Sequence, residues 1–343
     1  MSGAEESGGT RGQMPQPDWL DLARRGLRLA EAMGRASAEG IEIATTPKDE
    51  IWRDAKTSLH RYRATRAPAP VPPLLIVHGL FGRQSIVDLE PGRSLVHRLL
   101  GAGVDVWVLD WGSPSRADRH LDLTDYADYW LGDALEILRA ETGQARAALL
   151  GICQGGVFAL LHAARYPEAV AGLALAVTPI DFHADRQDPE AGHGLLNHWA
   201  RSLGEDLIED VIAERANLPG TLTGSVFEQL LPAQGIVRHA GAPLDLVDDP
   251  AALATYLRME KWLADRPDHP GAAAREWLID CYARNALIQG RLALDGVPVD
   301  LKSVRCAILN IVARHDHIVP PPCSLALEGR TASPDYRVLD VPT

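Results

Sequence analysis

Residues 151–156 read Gly-Ile-Cys-Gln-Gly-Gly, set between an apolar run, Ala147-Ala148-Leu149-Leu150, and a helix-compatible stretch from Gly156 to Tyr166. A strand that turns abruptly into a helix forces its turn residue into a strained conformation and brings backbone against backbone on both sides. Glycines at 151 and 155 meet that demand, because side chains there would clash with their neighbours. Cys153 is then lifted above the strand end, at the N-terminus of the following helix. The helix dipole is expected to favour its thiolate, the nucleophilic form of cysteine. The plain alternative is a buried structural cysteine beside a strand-helix turn, since free cysteine is among the most buried residue types.

The flanking chain alternates strand and helix signals. Trp19 to about Ala38 has helical apolar spacing, Glu50 to Tyr62 reads as a strand pair, and Arg66 to Pro73 is a proline-rich connector. Leu74–His78, Val104–Asp110, Ala147–Leu150 and Val170–Val177 read as strands, with helices expected over 93–100 and 123–142. Strands separated by helices imply crossover units and a parallel sheet. From about Pro179 to Leu292 the pattern becomes mostly helical, as a cap inserted between core strands would be. Val304–Val312 and Tyr336–Val341 restore the strands. The expected fold is α/β: a mostly parallel, doubly wound sheet with a helical cap insertion. Residues 1–17 form an expected disordered tail, 18–73 an N-terminal segment with its connector, and 74–343 the catalytic domain with its cap at about 179–292.

Charge and cysteine usage exclude several functions. With 34 Lys and Arg against 46 Asp and Glu, the net charge of −12 is opposite to a nucleic-acid footprint and to attraction by anionic lipid. Four cysteines (Cys153, Cys281, Cys306, Cys323) are scattered without a paired spacing, so neither a metal centre nor a disulfide framework is expected. The acidic, polar N-terminus is no signal peptide, and no apolar run suffices to span a bilayer. A cytoplasmic protein with no cofactor is the expectation.

The Gly-x-nucleophile-x-Gly turn resembles the nucleophile elbow of the α/β-hydrolase fold, in which the nucleophile is followed in the chain by an acid and then a histidine. Asp316 lies just past the strand Ile308–Val312, where an acid would orient a catalytic imidazole. A turn or helix-capping aspartate is the alternative. The histidine is expected after the strand 336–341, immediately past Thr343, and no histidine occurs after His317. His315 and His317 flank Asp316 on the same turn and are poorly placed to bridge it to Cys153; His317 is a candidate supporting group. The oxyanion hole would use the backbone N–H of Gln154 and one from the loop after Leu74–His78, at Leu80 or Phe81. His78 is expected to support that loop, and the tryptophans to serve packing.

Several stretches together resemble the catalytic subunit of two-component (class III/IV) poly(3-hydroxyalkanoate) synthases. They are Thr45-Thr-Pro-Lys-Asp49 with Leu59-His-Arg-Tyr62, Asp88 to Leu95, Asp110-Trp-Gly112, Gly151 to Gly156, Val177 to Phe182, Met259 to Trp262, Asp265 to Asp268, and Asp316-His-Ile-Val-Pro-Pro321. One departure is the loop His78-Gly-Leu-Phe-Gly82, where close relatives usually carry an asparagine. The resemblance implies an acyltransferase that polymerises 3-hydroxyacyl-CoA, of short chain such as 3-hydroxybutyryl-CoA, with CoA release through an acyl-cysteine on Cys153. It implies Asp316 as the acid, and a histidine in a Gly-His pair beyond Thr343, as in a C-terminally truncated chain. It also implies a second, non-catalytic synthase subunit, a homodimer or hetero-oligomer, and a place at the surface of polyester granules. A cysteine thioesterase or esterase of the same fold, and a non-catalytic granule- or partner-binding protein, are the competing readings.

Overall fold

The computed structural model describes residues 19–186, 194–230, 244 and 246–342; the expected tail 1–17 lies outside them. Backbone contacts divide the chain into two units, 1–41 with 233–257, and 42–232 with 258–343. In the smaller unit the helix α1 (Trp19–Glu39) is amphipathic, and Arg28 pairs with Asp248 at 2.7 Å.

The larger unit is built on an eight-stranded sheet. Its strands are β1 (Lys48–Asp54), β2 (Thr57–Tyr62), β3 (Leu74–Val77), β4 (Val106–Asp110), β5 (Ala147–Ile152), β6 (Val170–Ala176), β11 (Ala307–Ala313) and β12 (Tyr336–Val341). Their order is β1-β2-β4-β3-β5-β6-β11-β12. β1 pairs antiparallel with β2 and β2 antiparallel with β4, whereas every other neighbouring pair is parallel. The parallel strands are joined through α2 (Leu95–Gly101), α3 (Leu131–Thr142) and α4 (Gln154–Arg165).

Side-chain alternation divides the core between the two faces of the sheet. Leu75, Val77, Trp107, Leu109 and Leu149 pack with the apolar faces of α3 and α4. Ile76, Val106, Val108 and Leu150 point the other way, onto Val96 and Leu100 of α2. The central strands β3, β4, β5 and β6 read as largely apolar runs because both of their faces are covered.

The region between β6 and β11 supplies the cap: α5 (Leu195–Ser202), α6 (Glu205–Arg215), α7 (Gly220–Leu230) and further helical segments. It also contains an element absent from the sequence reading. The two-residue strands β7 (Asn217–Leu218) and β8 (His269–Pro270) pair antiparallel across a long stretch of chain, and β9 (Ala293–Leu294) pairs with β10 (Val297–Pro298) before β11. The helix expected over 123–142 differs too, since residues Asp125–Trp130 form a π-helical stretch before α3. Tyr126 in that stretch meets Trp111 edge-on at 5.2 Å and stacks with Phe158 at 6.1 Å. An extra residue in the turn accommodates this aromatic contact.

His162 of α4 is fully enclosed, with Nδ1 2.9 Å from the carbonyl of Ala127. Burial lowers its pKa to about 4, below its ordinary value of 6.5. A base held neutral in the fold takes up a proton more readily when unfolded. Its stabilising effect is therefore complete above pH 6.5 and is lost as pH falls toward 4. In urea titrations, unfolding free energy should decline over that window, by up to about 1.4 kcal/mol per pH unit from this residue. The slope should be shallower by about one proton in His162→Asn; an unaltered slope would refute the assignment.

Candidate active site

β5 ends at Ile152 and α4 begins at Gln154, which leaves Cys153 alone in the turn with φ 52° and ψ −120°. This left-handed conformation costs a non-glycine residue roughly 1–3 kcal/mol, and the surroundings enforce it. Cys153 N–H donates to the carbonyl of Ala176 at 2.9 Å, and Gly156 N–H to the carbonyl of Cys153 at 2.9 Å. The glycines are required by contact. A Cβ on Gly151 would lie 2.3 Å from the Cα of Gly156, one on Gly155 2.3 Å from the carbonyl oxygen of Val77, and one on Gly156 1.8 Å from Thr178 Oγ1. The turn therefore sits at the C-terminal ends of β3, β5 and β6, where open parallel sheets place ligands.

Cys153 keeps some accessible surface, and with Val177 and Ile318 it packs against the buried cluster Ala184, Val319 and Cys323. Burial pushes its thiol up to about 11; the Gln154 N–H directed at the sulfur pulls the other way, and the Asp316 carboxylate adds to the rise. This corrects the expectation that the helix N-terminus favours the thiolate. One backbone dipole does not offset desolvation of the sulfur beside a carboxylate. At neutral pH Cys153 is a thiol.

Asp316 stands on the turn after β11. Its Oδ1 accepts hydrogen bonds from the N–H groups of Ile318 (2.8 Å) and Val319 (2.9 Å). These two residues carry the loop onto Cys153, so Asp316 is brought near the nucleophile with Oδ2 unoccupied by any hydrogen bond among the described residues. His315 is exposed on the same turn, and His317 has a buried Nε2 without a hydrogen-bond partner. Neither hydrogen-bonds Asp316 or Cys153 among the described residues.

The Gln154 side chain, which sequence reasoning did not single out, joins three parts of the site. Its Oε1 accepts the Leu80 N–H at 2.8 Å, and its Nε2 lies 3.0 Å from Nε2 of His269, on β8. Burial lowers the pKa of His269 to about 4, so the ring is neutral. Nδ1–H then faces the Pro270 carbonyl at 3.3 Å, which leaves Nε2 to accept from Gln154. The ring also lies 4.7 Å from that of Phe81. The Leu80 N–H expected for an oxyanion hole is therefore engaged with Gln154 in this arrangement, because the glutamine carboxamide reaches the same pocket first.

The loop carrying Leu80 is braced from several sides. Trp111 Nε1–H donates to the carbonyl of His78 at 2.8 Å, and Trp262 Nε1–H to that of Arg83 at 3.0 Å. Arg83 binds the Gly112 carbonyl and Asp265, both at 2.9 Å. His78 closes onto the carbonyl of Gly79 at 2.7 Å, in line with its expected support of the loop. Among the described residues, no group of three or more His, Cys, Asp or Glu is placed to hold a metal ion, and no helix is long and apolar enough to cross a membrane.

A family model described as alpha/beta hydrolase fold matches residues 72–342. The chain is 40% identical over 328 residues to the poly(3-hydroxyalkanoate) polymerase subunit PhaC of Allochromatium vinosum, covering 95% of this chain and 89% of the relative. The chain belongs to the PhaC family. The PhaC of Synechocystis is 37% identical and covers 94% of this chain and 85% of its own length. That of Thiocystis violacea is 36% identical, covering 94% and 89% respectively. The α/β-hydrolase fold expected from the sequence is the fold of this PhaC chain, with its mostly parallel sheet.

Thr178 is fully buried opposite Gly156, with no space to retreat. Gly156→Ala should therefore destabilise the protein by about 3 kcal/mol or more. Gly101→Ala, on a helix with nothing within 4 Å of the new methyl, should be neutral or stabilising. Equal melting temperatures for the two variants would contradict the packing described for the elbow.

Proposed function

We propose that this PhaC chain is an acyltransferase that polymerises 3-hydroxyacyl-CoA thioesters into polyester, with Cys153 as the covalent relay. The observation that carries the reading is a cysteine in the strained elbow position, with φ 52°, in a chain 40% identical to a polymerase subunit. A base removes the Cys153 proton, the sulfur attacks the thioester carbonyl carbon, and the C–S bond to CoA breaks. CoA leaves with a proton, and the acyl group remains on Cys153 as a new thioester. The hydroxyl of a growing chain then attacks that carbonyl, forms an oxoester and returns the sulfur to the thiol.

Cysteine suits the first step, because exchange of one thioester for another is nearly isoenergetic and the acyl group stays activated. It suits the second, because the oxoester product is the more stable one. The thiol raised to about 11 makes a base necessary. We assign that base to a histidine, the third member in the nucleophile, acid, histidine order of this fold. Asp316, held by two backbone donors, would orient that imidazole. The Gln154 N–H, aimed at the sulfur, is one candidate donor to the tetrahedral oxyanion; the Leu80 N–H becomes the second when Gln154 Oε1 releases it. The preferred substrate in this reading is short, such as 3-hydroxybutyryl-CoA, and no cofactor takes part. The chain would act with a non-catalytic synthase subunit, as a homodimer or hetero-oligomer, at the surface of cytoplasmic polyester granules.

The test is CoA release from 3-hydroxybutyryl-CoA by the full-length chain, together with the identity of the acyl product. The expected result is polymer, with release falling by at least about a thousandfold in Cys153→Ala. Free hydroxy acid in place of polymer would make the protein a thioesterase. Release unaffected by Cys153→Ala would overturn the mechanism.

A further inference from the structure

A cleft of about 370 Å³ opens where the loop after β4 meets the cap, and four of its wall residues are Arg116, Arg119, His120 and Arg275. Three guanidinium groups on one cleft are unexpected in a chain of net charge −12. Among the described residues no carboxylate lines the cleft. The loop's own acid, Asp118, is turned away: its Oδ2 takes Lys56 Nζ at 2.5 Å and the hydroxyl of Ser115 at 2.8 Å. Arg275 is held from outside the cleft by Glu209 at 2.5 Å. Arg119 Nη1 donates to the Arg116 carbonyl at 3.1 Å, which fixes the loop that carries both guanidinium groups. Ile212, Ala216 and Ala272 supply an apolar wall beside these cations.

The cleft is anchored to the reaction centre through the cap. β8 carries His269, whose ring meets Gln154 next to Cys153, and the chain continues directly through Pro270 into Gly271 and Ala272 of the cleft wall. Two residues of extended chain span at most about 7 Å. Ala272 and Ala273 N–H groups donate to the carbonyls of Arg119 and Leu121 at 2.9 Å, which ties this cap segment to the cationic loop.

We propose that this cleft binds the phosphate-bearing nucleotide end of the acyl-CoA thioester, with Arg116, Arg119 and Arg275 as its anion-binding residues. The proposal rests on the acyl-CoA reading given above. CoA carries its phosphates at the end of a long pantetheine arm. Its anionic end must therefore bind well away from the nucleophile while remaining on the same face of the protein. Guanidinium groups match phosphate oxygens in bidentate geometry, and the apolar wall offers a surface to the adenosine. Glu209 competes with the ligand for Arg275.

The test is calorimetric titration of the full-length chain with CoA, adenosine 3′,5′-bisphosphate, pantetheine and inorganic phosphate. CoA and the bisphosphate should bind, more weakly at high salt, and the affinity should fall about tenfold or more in Arg116→Ala/Arg119→Ala. Glu209→Gln should bind more tightly, a gain that misfolding cannot mimic. CoA binding that is the same in the double variant and the wild type would overturn the cleft assignment. So would inorganic phosphate binding as well as the bisphosphate, which would mark an adventitious anion site only. Acylation of Cys153 by an S-acyl-N-acetylcysteamine, which has no phosphate, separates the two readings. If that thioester loads Cys153 while CoA and the bisphosphate fail to bind, the cleft proposal falls and the acyl-cysteine reading stands. If no thioester loads Cys153, the function itself is wrong.

Discussion

The approach of residues 151–156 to the backbone at Val77 and His78 and to the side chain of Thr178 sets the rest of the site. Three glycines allow contacts that a single methyl group would occupy, and Cys153 between them is held at φ 52°. Because β3, β5, β6 and β11 lie side by side in register, this contact also determines what surrounds the sulfur. The β3 end delivers the Leu80 loop, and the β11 end delivers Asp316 with Ile318 and Val319. The strain is local, and the strand ends and the buried helix α4 around the turn enforce it.

Held this way, Cys153 is shielded, and burial together with the Asp316 charge keeps its sulfur protonated. Gln154 adds a second restraint, spanning from the Leu80 N–H to His269 of the cap. Cap and elbow are thereby joined by one carboxamide, and a shift of β8 would release a backbone donor beside Cys153. In the proposed mechanism such enclosure would protect an acyl-cysteine, since water that reached it would give hydrolysis in place of chain growth.

Much of the fold was legible in the sequence because its signals are local. The strand Tyr336–Val341 was placed with its observed limits, and the 151–156 turn carried its glycines where the backbone contacts demand them. The place of Asp316 on the turn after β11 was legible, and Ile318 and Val319 of that turn share an apolar cluster with Cys153. What escaped depends on partners far away in the chain. β7 and β8 are two residues each, too short for any periodicity, and their pairing links Leu218 to His269. His269 therefore looked like any histidine in a helical insertion, and the Gln154 side chain gave no sign that it would meet the Leu80 N–H. The state of the thiol was not legible, because the helix dipole is visible in the local sequence whereas burial of the sulfur beside Asp316 is not. The π-helical stretch at Asp125–Trp130 escaped similarly, since an ordinary helical pattern covers it.

The central claim is that Cys153, and no other thiol, carries the acyl group. Peptide mass mapping after brief exposure of the full-length chain to 3-hydroxybutyryl-CoA tests it directly. Cys281 and Cys323 are fully buried and Cys306 lies partly buried at the start of β11, so the account predicts a hydroxybutyryl adduct confined to the peptide containing Cys153. An adduct on another cysteine, or CoA release with no covalent adduct at any time point, would contradict it.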